Sequence, residues 1–230
     1  MPYLKKTVSC GGNIFVYKYY AFRFGKRILR GRNRKETTPC QKAVNRRMRA
    51  DKNIWIFLAN FKQGDWWVEF NYRQGTRPDD IDTATEHIRN MRRKLARKLK
   101  RKGIELSYMQ MTERGDYGGL HHHIIFHNNF DPGILKELWP YGKVIIDDVY
   151  SENLIKLAEY FVKGKKEENE KRYSRSRNLI VPEPKVEIMT RSSWTKEPKP
   201  KQGYEIYDLY NGYHDVIGYE YQRYIMKMIC

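Results

Sequence analysis

The stretch from Ile104 to His127 restricts the fold of this chain more than any other. β-forming and apolar residues flank a Gly-Asp-Tyr-Gly-Gly break at 115–119, with no helical period on either side, so the stretch reads as two strands joined by a turn. Side chains two apart on a strand share a face, which points His121 and His123 one way and His122 the other. Glu113 closes the preceding strand, and a hairpin brings its carboxylate beside the two imidazoles. Two imidazoles and one carboxylate leave coordination positions open, as a cation that must also hold water or a phosphate oxygen requires. Magnesium or manganese suits that donor set better than a closed structural zinc. A strand histidine is ordinarily a packing residue, but four of the six histidines fall between 121 and 127. His127 is expected in an outer shell only.

Lys plus Arg number 45 against 27 Asp plus Glu, a net charge of +18, and such a field attracts phosphate polymers. No basic amphipathic segment stands out as a membrane anchor, and no apolar run reaches a membrane span or a signal peptide. A cytoplasmic protein without a membrane partner is expected. Eighteen tyrosines and five tryptophans are consistent with stacking on unpaired bases, although core packing uses the same residues. Cys10, Cys40 and Cys230 are odd in number and widely spaced, which suggests neither a disulfide framework nor a zinc site. The absence of a Gly-x-x-x-x-Gly-Lys-Ser/Thr loop leaves nucleotide hydrolysis unsupported.

Along the chain, a hairpin is expected over Asn13 to Arg23, then a basic stretch at 26–35 that either touches DNA or is a solvated loop. A helix is expected over Thr38 to Asn60. Asp65 to Arg73 reads as a central strand, with Trp67, Glu69 and Asn71 on one face and Trp66, Val68, Phe70 and Tyr72 on the other; Glu69 is either an acid near the metal or, the preferred reading, a surface carboxylate. Asp79 to Lys102 is the clearest helix, with its basic run from Arg92 read as a solvated face first and a DNA contact second, and Gly103 as its cap. A short helix from Asp131 through Leu138, a strand over Gly142 to Val149 and a helix from Ser151 to Lys163 follow. The segment from Lys165 is charged and non-periodic, and short strands are expected at Lys185 to Thr190 and Gly203 to Leu209. Strands and helices in this order give an α+β fold resembling the ferredoxin-like, RRM-like split fold, a central antiparallel sheet carrying the His-x-His strand with helices packed on it. Residues 1–60 are expected as an N-terminal extension, 61–180 as the core and 181–230 as a C-terminal extension.

On the helix ending at Lys163, Tyr160 falls outside the apolar stripe of Leu154, Leu157, Ala158, Phe161 and Val162, near Lys156 and Lys163. Alone it reads as an amphipathic tyrosine at the edge of the core. Coupled to a metal hairpin it reads as a nucleophile, with the ammonium groups favouring the ionised phenol and holding a phosphate.

Glu113, then His121-His122-His123, then Tyr160-Phe-Val-Lys163 together resemble the histidine-hydrophobe-histidine (HUH) endonucleases, and among them the single-tyrosine rolling-circle replication initiators of phages and plasmids. The resemblance spans roughly residues 54–180, with Trp66 to Tyr72 in place of the family's first, hydrophobic strand motif. It implies His121, His123 and Glu113 as metal ligands, Tyr160 as nucleophile and Lys163 as its basic helper. It further implies nicking and rejoining of single-stranded DNA or an origin hairpin through a 5′-phosphotyrosine link, with a host DNA polymerase and helicase as partners. His122 departs from the usual apolar middle residue and needs a hydrogen-bond partner if it faces the core. A transposase or relaxase with the same chemistry, a hydrolytic metal nuclease, and a non-catalytic nucleic-acid-binding module are the rival readings.

Overall fold

The computed structural model describes residues 2–21, 24–25, 37–115, 118–150, 154–163, 171–214 and 218–229, with the backbone alone at 40, 163, 171 and 214. In chain order its elements are β1 (Tyr3–Cys10), β2 (Asn13–Tyr20), α1 (Pro39–Asn60), β3 (Trp66–Asn71), α2 (Ile81–Lys100), β4 (Tyr108–Arg114) and β5 (Leu120–Phe126). α3 (Gly133–Leu138), β6 (Val144–Asp148), α4 (Leu154–Lys163), β7 (Lys171–Arg175), β8 (Lys185–Ile188), β9 (Tyr204–His214) and β10 (Tyr219–Met228) complete it. They form two antiparallel five-stranded sheets in two compact units, one of residues 1–55 with 181–230 and one of residues 56–180.

In the second unit the strand order is β6-β3-β5-β4-β7, which puts the His-x-His strand in the middle of the sheet. The alternation expected for β3 holds: Val68, Phe70 and Tyr72 turn inward to a core with Ile124 and Phe126 of β5 and with Ala84, Ile88, Met91, Leu95 and Leu99 of α2. These helix residues recur at three and four positions and so share one stripe. Asp80 caps α2 by accepting from the Thr83 N–H at 2.7 Å, and Gly103, at φ +73°, takes the left-handed conformation that ends it. α4 covers the opposite face of the sheet, where Phe161 packs on Trp67 with ring centroids 5.7 Å apart.

In the first unit the order is β8-β1-β2-β10-β9, so the terminal segments expected as separate extensions are strands of one sheet. Ile14, Val16, Tyr224 and Met226 make a small core from β2 and β10.

Several expectations need correction. The first hairpin is β1–β2 with its turn at Gly11-Gly12, both at positive φ, so the stretch expected as the whole hairpin holds only its second strand. Lys171–Arg175, inside the stretch read as non-periodic, pairs with β4 as an edge strand, where one-sided pairing tolerates a charged sequence. β10 is a strand where none is expected from the sequence. Arg92 is buried rather than solvated, its guanidinium packed 4.4 Å from the Tyr108 ring centroid, and burial lowers its pKa to about 10. The basic stretch at 26–35 and Ser151 lie outside the described residues. Among the described residues no helix is long and apolar enough to cross a membrane.

Candidate metal centre

The β4–β5 register sets the site. Glu113 pairs directly with His121 and Met111 with His123, so the carboxylate and both imidazoles emerge from adjacent strands on one face. The turn between them is held by Gly115 N–H donating to the Gly119 carbonyl at 2.7 Å and by Arg114 donating to the carbonyls of Gly118 and Asp79, each at 2.8 Å. A Cβ on Gly115 would lie 3.2 Å from the His121 ring, so the hairpin end is shaped around that imidazole.

One donor atom from each of Glu113, His121 and His123 lies within 4.8 Å of the others. Glu113 Oε1 is 3.6 Å from His121 Nε2 and 3.8 Å from His123 Nε2. Side-chain exposures of 14 %, 17 % and 7 %, in that order, leave the cluster accessible from one side. The donors, two neutral nitrogens and one anionic oxygen converging from rigid strands, fit a divalent cation with free coordination positions. Burial opposes a charge on His121, but the Glu113 carboxylate, the Gly119 carbonyl and the charge of Glu69 outweigh it and hold its pKa above the ordinary value.

β3 contributes to the same face. Glu69 lies opposite His123 and Asn71 opposite His121, and the Asn71 side chain donates to Glu69 Oε1 at 2.8 Å. Glu69 is therefore a half-buried member of the site's face and not a surface carboxylate. The alternation along β3 was legible, but which of its faces meets the histidines depends on the β3–β5 register, which no local pattern encodes. Trp67 lies on that face too, its ring 5.5 Å from that of His123.

Tyr160 rises over this face from α4. Its ring centroid is 6.3 Å from that of His123 and 6.5 Å from that of Trp67, and the residue is 55 % exposed, while Ile155, Ala158, Phe161 and Val162 bury the other side of the helix. Lys163 ends the same helix, and its side chain lies outside the described residues. His127 does not join the cluster. It follows the end of β5, with Nε2 3.0 Å from the Asn60 carbonyl and its ring 5.1 Å from Phe61.

His122, on the other face, is fully buried and finds the partners its position requires: Nδ1 is 2.7 Å from Thr112 Oγ1, and Nε2 is 3.0 Å from Tyr72 Oη. Burial, with the neighbouring His121, pushes its pKa well below the ordinary value, so it stays neutral. A neutral imidazole donates once and accepts once. Gln110 also donates to Thr112 Oγ1 at 3.1 Å, so that hydroxyl is shared between Gln110 and the His122 ring. The hairpin thus presents its three candidate donors on one face and is fastened through the other.

Residues 65–165 match the family model of replication-associated protein ORF2/G2P. The matched span is less than half of the 230 residues and contains β3, the hairpin with its three donors, and Tyr160. No curated protein and no solved structure matches the chain. Over that span the chain is similar to proteins associated with DNA replication.

Proposed function

We propose that this chain is a replication initiator that nicks and rejoins single-stranded DNA by tyrosine transesterification, with Glu113, His121 and His123 as metal ligands and Tyr160 as nucleophile. One juxtaposition carries the reading: an open Glu/His/His cluster with an exposed phenol on the helix that covers it, all inside the span similar to replication-associated proteins.

A divalent ion, Mg²⁺ or Mn²⁺, held by the three ligands supplies positive charge that polarises the scissile phosphate. The residues do the rest. Tyr160 Oη attacks phosphorus and loses its proton, a P–O bond to tyrosine forms, and the P–O3′ bond breaks in line with it. The departing O3′ takes up a proton as a free hydroxyl that can prime a polymerase. One phosphodiester is exchanged for another, so no nucleotide cofactor is consumed and a 3′-hydroxyl can reverse the step. Lys163, one turn after Tyr160, is assigned to the phosphate's charge. Trp67 and Phe161 hold the helix that carries the nucleophile over the ligand face.

The test uses 3′-labelled single strands tiled across the replicon's origin, incubated with the protein and manganese and resolved on a denaturing gel. The expected result is a covalent adduct that is lost in Tyr160→Phe and on chelation. Cleavage without an adduct that survives Tyr160→Phe would show hydrolysis instead. Binding of every strand without cleavage would reduce the domain to a binding module.

A further inference from the structure

The two imidazoles of β5 stand between carboxylates on both neighbouring strands. Glu113 of β4 lies opposite His121, and Glu69 of β3 lies opposite His123. Residues directly opposite in an antiparallel pair share a face and have Cβ atoms about 4.5–5.5 Å apart, so the Glu69 side chain starts beside that of His123. The Asn71 amide, donating to Glu69 Oε1 at 2.8 Å, then draws the carboxylate along β3 toward the position opposite His121. Glu69 and Asn71 are both half-buried. The three donors that converge within 4.8 Å do not include Glu69. It is a carboxylate beside the ligand set, on the far side of the imidazoles from Glu113. An amide orients it without cancelling its charge, as a lysine or arginine at position 71 would.

Charge balance gives this placement its meaning. A divalent cation held by two neutral nitrogens and one carboxylate leaves a surplus positive charge among side chains at most 17 % exposed, in a chain whose net charge is already +18. Charge taken partly out of water is costly unless a neighbour of opposite sign balances it. With Glu69 counted beside Glu113, the two negative charges on this face equal those of the cation. The geometry points to Glu69, oriented by Asn71, as a positioning residue: it acts through the three ligands and sets how tightly they hold a divalent cation. The inference rests on the reading of Glu113, His121 and His123 as metal ligands and adds a fourth, outer charge to it. Side chains just outside a ligand set ordinarily tune metal affinity by about 10–100-fold.

Titration of the full chain with Mn²⁺ in the absence of DNA, with the free ion read by electron paramagnetic resonance, measures the dissociation constant. Glu69→Gln is the informative variant, because its amide oxygen still accepts from Asn71 and only the charge is lost. The expected result is a dissociation constant raised about tenfold or more, with the metal-free melting temperature of the wild type retained. Glu69→Asp keeps the charge and recovers most of the affinity. Asn71→Ala leaves the charge but not its direction, so it weakens binding less than Glu69→Gln, and the double variant binds no worse than Glu69→Gln alone. An unchanged Mn²⁺ constant in Glu69→Gln overturns the role of Glu69 and leaves the nicking reading standing, as does an equal loss in Glu69→Asp. A metal-free melting temperature that falls along with the affinity also overturns it, because Glu69 would then hold the sheet and not the charge of the site. A wild type that binds no Mn²⁺ overturns the ligand assignment itself and this inference with it, and only that outcome reaches the proposed function.

Discussion

A histidine wedged between two histidines of the candidate metal cluster must satisfy two ring nitrogens in a place where water does not reach. His122 does so through Thr112 and Tyr72, one ring nitrogen donating and the other accepting. His122→Phe removes both ring nitrogens, so the Thr112 and Tyr72 hydroxyls each lose a buried partner, Thr112 keeping Gln110 and Tyr72 keeping His87, and it should cost about 1–3 kcal/mol. Urea unfolding of wild type and variant measures it, and an unchanged midpoint would mean that the hydroxyls find other partners. The same residue shows what alternation can and cannot convey. The period of two placed His122 opposite His121 and His123 from sequence, and it required a partner, but Thr112 and Tyr72 became its partners only through cross-strand registers.

Among the elements, the edge of the β3–β6 pair depends on one close approach. A Cβ on Gly142 would lie 2.2 Å from the Asn71 carbonyl oxygen and 2.6 Å from the Arg73 nitrogen, and backbone cannot turn aside as a side chain can. Gly142 sits between Tyr141 and Lys143, whose carbonyls accept from the Arg73 and Asn71 N–H groups at 2.9 Å each. Gly142→Ala should therefore pry β6 from β3 and destabilise by about 1–3 kcal/mol, in the range of overpacking changes. Thermal unfolding by circular dichroism reads the loss, and a melting point equal to wild type would show that the turn relaxes freely. The helices were the most legible elements, because α2 has its cap, its apolar stripe and its terminal glycine in one continuous stretch. β7 and β10 were not, since the stability of a strand lies in its partners, and β7's partner β4 and β10's partner β2 come from distant segments.

Across the chain as a whole, the two units differ in how the polypeptide supplies them. Residues 56–180 are continuous and contain their own sheet, core and ligand cluster, whereas the other unit joins both ends of the chain. A fragment of residues 56–180 should fold alone and bind manganese through Glu113, His121 and His123, with Glu113→Gln in the fragment weakening that binding at least about tenfold. A fragment of residues 1–55 should stay unfolded, because β1 lacks β8 and β2 lacks β10. Backbone amide dispersion in NMR spectra distinguishes the two outcomes, and a collapsed spectrum for 56–180 would show that the units depend on each other.

Short-range periodicity and punctuation carry the helices, the β4–β5 hairpin, the shared face of His121 and His123, and the position of Tyr160 outside its apolar stripe, and all of these are legible in the residues alone. They follow from positions a few apart, whose geometry the backbone fixes locally. Long-range folding had to decide that Glu69, Asn71 and Trp67 join the ligand face, that His127 leaves it, that Arg92 is buried and that the two termini share a sheet. Each depends on which strand or helix lies beside which, a choice made by burial and cross-strand register among segments far apart in the chain.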